Sequence, residues 1–171
     1  MKAMDLIKMA LQSSDQFTTQ LIDDMRDAPL TQPTSNGGNH PLWVLGHLAI
    51  GEGLIRQVVL GESNPVAHWE GIFGFGSEPS DNASDYPSFD EVMEKYRELR
   101  AENMRLLDEL GEEGLDRPTK APPPGLEALF QTAGQTFLIT AMHQMNHRGQ
   151  VADARRMAGR KPVFTPEGAA A

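Results

Sequence analysis

Four stretches of this sequence repeat their apolar residues with the 3.6-residue period of an α-helix. By contrast, no convincing run of alternating apolar and polar residues lies between turn residues, as a half-buried strand would require. An amphipathic helix must cover its apolar stripe against another element, and here the other elements are helices as well. The sequence therefore predicts an all-α fold of the four-helix bundle class.

Proline and glycine residues mark the ends of the first two predicted helices. The first helix is expected to end at Pro29, because the residue before a proline disfavours helical backbone. The second should begin at His40-Pro41, with the proline in the first turn, and end at Gly61. The apolar stripe of the first helix is predicted to consist of Leu6, Ala10, Phe17, Leu21 and Met25.

The third and fourth helices have their own boundary signals. Ser88 and Glu91 form a capping box at the start of the third helix, which Gly111 is expected to close. The fourth helix is predicted from about Glu127, after a run of prolines, to Ala158.

The link between the second and third helices is unusually long. It covers residues 62–87, whereas links in bundles usually contain about 2–8 residues. A link of this length can return the chain along the bundle, so that the second and third helices run parallel. The second helix is then antiparallel to the fourth. We therefore expect a bundle with one crossover link.

Length and charge limit the organisation and the partners. The chain has 171 residues, which favours a single domain, here assigned to residues 1–164, followed by a flexible tail over residues 165–171. Its net charge is −9, with a sequence pI near 4.9. Such a surface repels phosphate backbones, so nucleic acid is not expected as a partner.

Cysteine usage and hydropathy favour a cytoplasmic location. The chain contains no cysteine, which excludes disulfides, thiolate metal ligands and a cysteine nucleophile. Its first residues do not have the pattern of a signal peptide. No apolar stretch is expected to supply the roughly 20 residues needed to cross a bilayer. We therefore predict a soluble cytoplasmic protein that does not bind membranes.

Three of the five histidines are placed to meet at one point. His143 and His147 are four residues apart, so both rings leave the same face of the fourth helix, one turn apart. His47 lies early in the second helix, which antiparallel packing places beside the later half of the fourth helix. Three neutral imidazoles at one point form a zinc-type or nickel-type site with an open position for water or substrate.

The other histidines and two neighbouring residues suit different roles. His40 is expected to cap the second helix, and His68 to lie on the surface of the long link. The zinc-protease motif H-E-x-x-H is not present, because Gln144 stands where its general base would be. An iron site with two histidines and a carboxylate would need Glu52, which is five positions from His47 and so on another helix face.

Two sequence blocks resemble the DinB-like family, also called the DinB/YfiT superfamily. The first is HPLWVLGHLAIGEG, which contains the W-x-x-G-H pattern as Trp43 to His47. The second is HQMNHRGQVADARRMAGRKP, which contains the H-x-x-x-H-R-G-Q pattern as His143 to Gln150. Helix number, the long second link and chain length agree with the family, so the resemblance covers nearly the whole chain.

The resemblance implies a four-helix bundle with one crossover link and a metal site. Carried over to this sequence, the metal ligands are His47, His143 and His147, and the divalent metal is typically nickel or zinc. Many members form homodimers. Activities of relatives include the transfer of low-molecular-weight thiols to electrophiles and the thiol-dependent isomerisation of maleylpyruvate.

These observations lead to one main functional hypothesis and two alternatives. The main hypothesis is a metal-dependent thiol S-transferase that acts on small electrophiles, with a small-molecule substrate and a low-molecular-weight thiol as partners. A metal-dependent hydrolase is the nearest alternative. The other is a non-catalytic stress protein that binds a metal or ligand. Asn146 and Gln150 are candidates for polar residues lining the site, although both suit a surface or helix contact equally well.

Overall fold

The structure, a computed structural model, describes residues 1–33 and 38–163, and its secondary structure is helical. In chain order the helices are α1 (Ala3–Asp23), α2 (Pro41–Leu60), the short α3 (Glu70–Phe73), α4 (Phe89–Gly114) and α5 (Ala133–Met157). No β-strand occurs in these described ranges, where an isolated bridge joins Pro118 to Thr132. The all-α prediction is confirmed, while the predicted tail over residues 165–171 lies outside the described residues.

Helix α2 has the bounds that its sequence predicts. The His40 ring caps it by accepting a hydrogen bond from the Trp43 backbone amide at 3.0 Å, and Pro41 occupies the first position. Gly61 ends the helix in the left-handed region, with a φ of 74° that favours glycine. The cap role predicted for His40 is therefore confirmed.

Helices α4 and α5 differ from prediction at one end each. Ser88 caps α4 as expected, since its hydroxyl accepts from the Glu91 amide at 3.2 Å. Gly111 does not end α4 but kinks it, with a φ of 63°, and the helix continues to Gly114. Helix α5 begins at Ala133 rather than near residue 127, because Thr132 and Gln135 form a capping box there.

The predicted apolar stripe of α1 was partly wrong. Leu6 is 48% exposed, whereas Leu21 and Met25 are buried. The helix also ends at Asp23, well before Pro29. The stripe was misplaced because two polar residues belong to the core-facing side. That side consists of Met4, Ile7, Leu11, Ser14, Thr18, Leu21 and Ile22.

The packing confirms the crossover topology. One core cluster joins the first half of α2 (Leu42–Ile50) to the first half of α4 (Phe89–Leu99), and a second joins their later halves. These two helices therefore run parallel. Along α2, Trp43 lies beside His147 and Gly51 beside His143, so α2 and α5 run antiparallel.

Helix α2 is the most apolar element. By length and composition it is long and apolar enough to cross a membrane, with a mean hydropathy of 1.2, contrary to the expectation from sequence. However, 78% of that window is buried inside the bundle. The apolar run therefore has the position of a core helix, and its burial places His47 inside the protein.

Candidate metal centre

The three predicted histidines meet between α2 and α5. The Nε2 atom of His143 lies 3.1 Å from Nε2 of His47 and 3.0 Å from Nε2 of His147. One nitrogen from each ring lies within 4.8 Å of the other two. His47 and His147 are buried, and His143 is partly exposed. A group of this size could hold a metal ion.

Hydrogen bonds on the far side of two rings orient their Nε2 atoms inward. His47 Nδ1 lies 2.7 Å from the carbonyl oxygen of Phe73, and His147 Nδ1 lies 2.7 Å from Oε1 of Gln150. A carbonyl or amide oxygen can only accept, so both Nδ1 atoms must carry the proton. In the neutral rings, Nε2 of His47 and Nε2 of His147 therefore present lone pairs to the centre of the group.

The centre of the group has fewer N–H groups than close contacts between ring nitrogens. His143 Nε2 contacts both lone pairs, but a neutral ring carries one N–H and can direct it at one acceptor only. At least one contact near 3 Å therefore brings two lone pairs together. A cation bound to all three nitrogens would remove that repulsion. This deficit of protons is the observation that most favours a metal site.

Burial keeps these rings neutral. Desolvation lowers the pKa of His47 to about 4, partly opposed by the hydrogen bond to Phe73, with the neighbouring His147 lowering it further. Desolvation and the other two rings lower the pKa of His143 to about 3. The pKa of His147 is also lowered by desolvation, and its bond to Gln150 opposes the shift. Neutral imidazole is the form that binds metal.

The two donor spacings at His143 fit a first-row divalent ion. Two nitrogens at ~2.0–2.1 Å from zinc are roughly 3.3–3.4 Å apart at a tetrahedral angle and about 2.9 Å apart at a right angle. The observed 3.0 and 3.1 Å lie between these values. In the described part of the chain no aspartate or glutamate joins the group, so the ligand set is three neutral nitrogens.

The Trp43 ring covers one side of the group. The Trp43 ring stacks on His47, with centroids 4.6 Å apart and an interplanar angle of 12°. Its indole nitrogen donates to Ser77 Oγ at 2.9 Å, so the ring is fixed from the side of the crossover link. A ligand held by the histidines would therefore approach from the side of the partly exposed His143.

The remaining residues considered from sequence have separate positions. His68 is exposed on the crossover link, as predicted. Asn146 is also exposed, whereas Gln150 belongs to the site through its bond to His147. Glu52 faces another side of α2 and forms an ion pair with Arg100 at 2.9 Å, which agrees with its exclusion as a ligand.

Sequence reasoning missed a buried polar network beside the histidines. Arg100 pairs with Glu52 and donates to Gln144 Oε1 at 2.6 Å, while Asn103 donates to Glu52 Oε2 at 2.8 Å. Tyr96 donates to Asp15 at 2.6 Å and also bonds with Gln144. Four helices thus contribute to one network. In the sequence, this network is indicated by Gln144, which follows His143 directly. Adjacent residues of a helix point to different faces, so α5 has polar side chains on two sides.

Glu52 and Arg100 are counter-charges within the network. Burial raises the pKa of Glu52, and the bonds from Arg100 and Asn103 offset this only in part. Burial opposes the charge of Arg100, but Glu52, Tyr96 and Asp15 together outweigh it and the pKa of Arg100 is raised. Arg100 Nε and Nη1 and Asn103 Oδ1 have no hydrogen-bond partner among the described residues. Glu52 is paired with Arg100 and does not belong to the candidate metal group.

Cavity size alone does not identify this centre. A cavity of about 340 Å³ lies near the ends of α1 and α5, away from the histidines, and Asp24 and Arg155 are among its lining residues. These two residues pair with each other at 2.8 Å. The histidine group is identified by its donor geometry instead.

Comparison with protein-family models assigns the chain to a family. The family model described as the DinB superfamily matches residues 10–151. This range contains all four long helices in whole or large part and all three histidines. The chain belongs to the DinB superfamily. No curated protein matches this chain significantly. Family membership and the histidine cluster therefore rest on separate observations, one from sequence and one from geometry.

Proposed function

We propose that this DinB superfamily protein binds a divalent metal, nickel or zinc, through His47, His143 and His147, and that it is a metal-dependent enzyme. The observation that carries this proposal is the convergence of three Nε2 atoms of which two are held as lone-pair donors. The location proposed is the cytoplasm, where small thiols are kept reduced.

The reaction we propose is transfer of a low-molecular-weight thiol to a small electrophile. Three neutral ligands leave the double charge of the ion uncompensated, which favours an anionic fourth ligand such as a thiolate. Metal-dependent hydrolases commonly also hold a general base that directs the water, and no carboxylate belongs to the group within residues 1–33 and 38–163. A thiol is acidic enough to ionise on a metal without such a base.

The roles of the protein residues follow from their contacts. A divalent ion at this site would supply Lewis acidity, which lowers the pKa of a bound thiol or water. His47 and His147 hold inward lone pairs because Phe73 and Gln150 accept their Nδ1 protons. Trp43 covers one face of His47, which excludes water from that side. The partly exposed His143 marks the side on which a substrate would enter.

The experiment begins with protein purified without a histidine tag. Bound metal is measured by elemental analysis, and consumption of a model electrophile is followed with several small thiols before and after chelation. We expect about one metal per chain and turnover that disappears with the chelator and returns with nickel or zinc. His143→Ala should remove both the metal and the turnover.

The alternatives give different results in the same experiment. Chelator-sensitive hydrolysis without thiol dependence would favour the hydrolase. Bound metal with no chelator-sensitive turnover of any kind would favour a non-catalytic binding protein. Absence of metal from the purified protein, together with no binding of added nickel or zinc, would overturn the proposal.

We also propose that two copies associate through the outer face of α1 and α5. This face, here called the α1/α5 face, exposes Leu6, Met9, Leu138, Met142 and Met145, each more than 40% exposed. Helix α5 has no charged residue from Ala133 to His147. In a chain with a net charge of −9, the uncharged α5 part of this face is where two copies can meet without repulsion.

Sedimentation or light scattering of Met142→Glu tests this association. We expect the variant to be monomeric where the unmodified protein is dimeric, because the new carboxylates would face each other across the two-fold axis. Met157→Glu is the matched control, since Met157 is 57% exposed against 60% for Met142 and lies far along the same helix. A monomeric unmodified protein would rule the dimer out.

A further inference from the structure

Helix α2 contains three glycines in its interior, which needs an explanation. Each of Gly46, Gly51 and Gly53 lowers helix stability by roughly 1 kcal/mol relative to alanine. Their φ values are negative, so backbone conformation does not demand glycine at any of them. Close approach of another part of the chain is the remaining reason for a glycine in a helix.

Two of these glycines receive the crossover link. A Cβ atom at position 46 would overlap the Phe73 ring, and one at position 53 would overlap the Asn64 side chain. Gly46 and Gly53 are seven residues apart and therefore lie on the same face of α2. The link is thus seated against that face at two points, and only the first is next to a histidine of the site.

The segment Ile72–Ser77 is held firmly at the first point. The Phe73 ring is fully buried and stacks on Tyr86, with centroids 5.2 Å apart. Ser77 Oγ donates to the Gly74 carbonyl oxygen at 2.9 Å and accepts from the Trp43 indole. Trp43 in turn stacks on His47. The segment therefore contacts His47 through one carbonyl and, by way of Trp43, through one ring face.

We propose that the segment Ile72–Ser77 is a clamp that fixes the ring orientation and tautomer of His47, and that Gly46 is the positioning residue that admits it. The missing Cβ lets the Phe73 ring approach α2, and this approach brings the Phe73 carbonyl within 2.7 Å of His47 Nδ1. The glycine and histidine of the W-x-x-G-H pattern therefore act together: Gly46 makes room for the link, and the link orients His47.

The clamp decides which nitrogen of His47 faces the other two rings. With the Phe73 carbonyl in place, the proton is held on Nδ1 and Nε2 is free to donate its lone pair. Without that acceptor, the proton can move to Nε2, where it would block the metal-binding position. Removal of such an orienting partner typically lowers metal affinity about 10–100-fold.

The test compares alanine variants at three glycines by two measurements. Nitrogen-detected NMR of the metal-free protein reports which ring nitrogen of His47 carries the proton. Titration with zinc reports affinity. For Gly46→Ala we expect a shift of the His47 proton away from Nδ1 and a loss of zinc affinity of about 10–100-fold. Gly71→Ala, on the same link with nothing within 4 Å of the added Cβ, should change neither.

Gly53→Ala separates the clamp from general loosening of the link. It introduces a comparable overlap, so its melting temperature should also fall, but His47 should keep its Nδ1 proton and zinc affinity should stay within about 3-fold. If Gly46→Ala does not fold, Ser77→Ala, which cuts the ties to Trp43 and Gly74, takes its place and should lower the affinity.

Two results would overturn the clamp. One is a His47 proton on Nε2 in the unmodified metal-free protein. The other is a folded Gly46→Ala or Ser77→Ala variant with an unchanged tautomer and zinc affinity. Of the two tests of the clamp, only the zinc titration depends on the proposed metal site. If the unmodified protein binds no metal, the proposed function fails, and the tautomer measurement still decides the clamp.

Discussion

Two adjacent residues of helix α5, His143 and Gln144, belong to two different polar clusters. His143 belongs to the histidine group, in which inward lone pairs outnumber the protons available. Gln144 belongs to the network of Glu52 and Arg100, in which a buried carboxylate meets a buried guanidinium. The first cluster could hold a cation, whereas the second contains a counter-charge for its buried carboxylate.

This difference separates a binding site from a structural element. Both clusters are buried and polar, so burial alone would not distinguish them. The decisive property is what each cluster lacks: the histidine group has more inward lone pairs than protons, whereas the buried charge of Glu52 is matched by Arg100. A balanced network ties α2, α4 and α5 together, and the unbalanced group beside it is where an ion can bind.

The largest effect should come from removing a ligand of the unbalanced cluster. His147→Ala is expected to lower metal affinity at least ~1000-fold, about 4 kcal/mol, because two imidazoles remain to hold the ion. Helicity should be nearly unchanged, since the ring forms no part of the apolar clusters. Isothermal titration and circular dichroism measure both quantities. His68→Ala, at an exposed histidine, is the control, and equal metal content in both variants would refute the site.

Removing the counter-charge from the balanced cluster should have the next largest effect. Arg100→Met leaves the Glu52 carboxylate buried and unpaired, and we expect the free energy of unfolding to fall by about 3 kcal/mol. Because the pKa of Glu52 is already raised by burial, the loss should grow as pH rises above the ordinary carboxyl range. Denaturant unfolding of Arg100→Met against Arg100→Met/Glu52→Gln measures this. A loss that does not depend on pH would show that packing, not charge, is responsible.

Acid should destabilise the metal-free histidine cluster. The folded pKa of His47 is lowered to about 4, below its ordinary value near 6.5, so its contribution is present above about pH 6.5 and is lost as pH falls toward 4. Between about pH 7 and pH 5 this ring alone should remove about 2 kcal/mol relative to His47→Ala. His143 acts in the same direction. If the free energy of unfolding depends on pH in the same way in both proteins across this range, the lowered pKa is contradicted.

The lowered pKa values of His47 and His143 also determine the pH at which metal should be released. A site of ordinary histidines would lose its ion below about pH 6.5, when the rings take up protons. Here the rings resist protonation through burial, so we expect metal to remain bound well below that value. Release at pH 6 and above would count against three buried neutral ligands.

The smallest effect should come from the acceptor behind His147. Gln150→Ala removes the oxygen that holds the Nδ1 proton of this ring, and zinc affinity should fall about 10-fold, or about 1.4 kcal/mol. Asn146→Ala, at an exposed amide on the same helix, is the matched control and should have no effect. Equal affinities in the two variants would mean that Gln150 does not orient the ring.

Sequence reasoning was most successful where the signals were local. The bounds of α2 followed from His40, Pro41 and Gly61, because cap and turn chemistry act over a few residues. It failed at the start of α5, where the Thr132 capping box was overlooked. It also misplaced the stripe of α1, because Ser14 and Thr18 are core residues that an apolar pattern does not reveal.

The sequence by itself determined the helical class, the crossover and the three histidines that converge. These follow from periodicity, from the length of one link and from spacing along a helix, which are properties of short segments. Only the tertiary structure decided how the site is built. The Phe73 carbonyl reaches His47 from 26 residues away, and Glu52 meets Arg100 across two helices. The ring tautomers and the charge balance depend on such long-range contacts, because hydrogen-bond partners far apart in sequence leave no periodic signal.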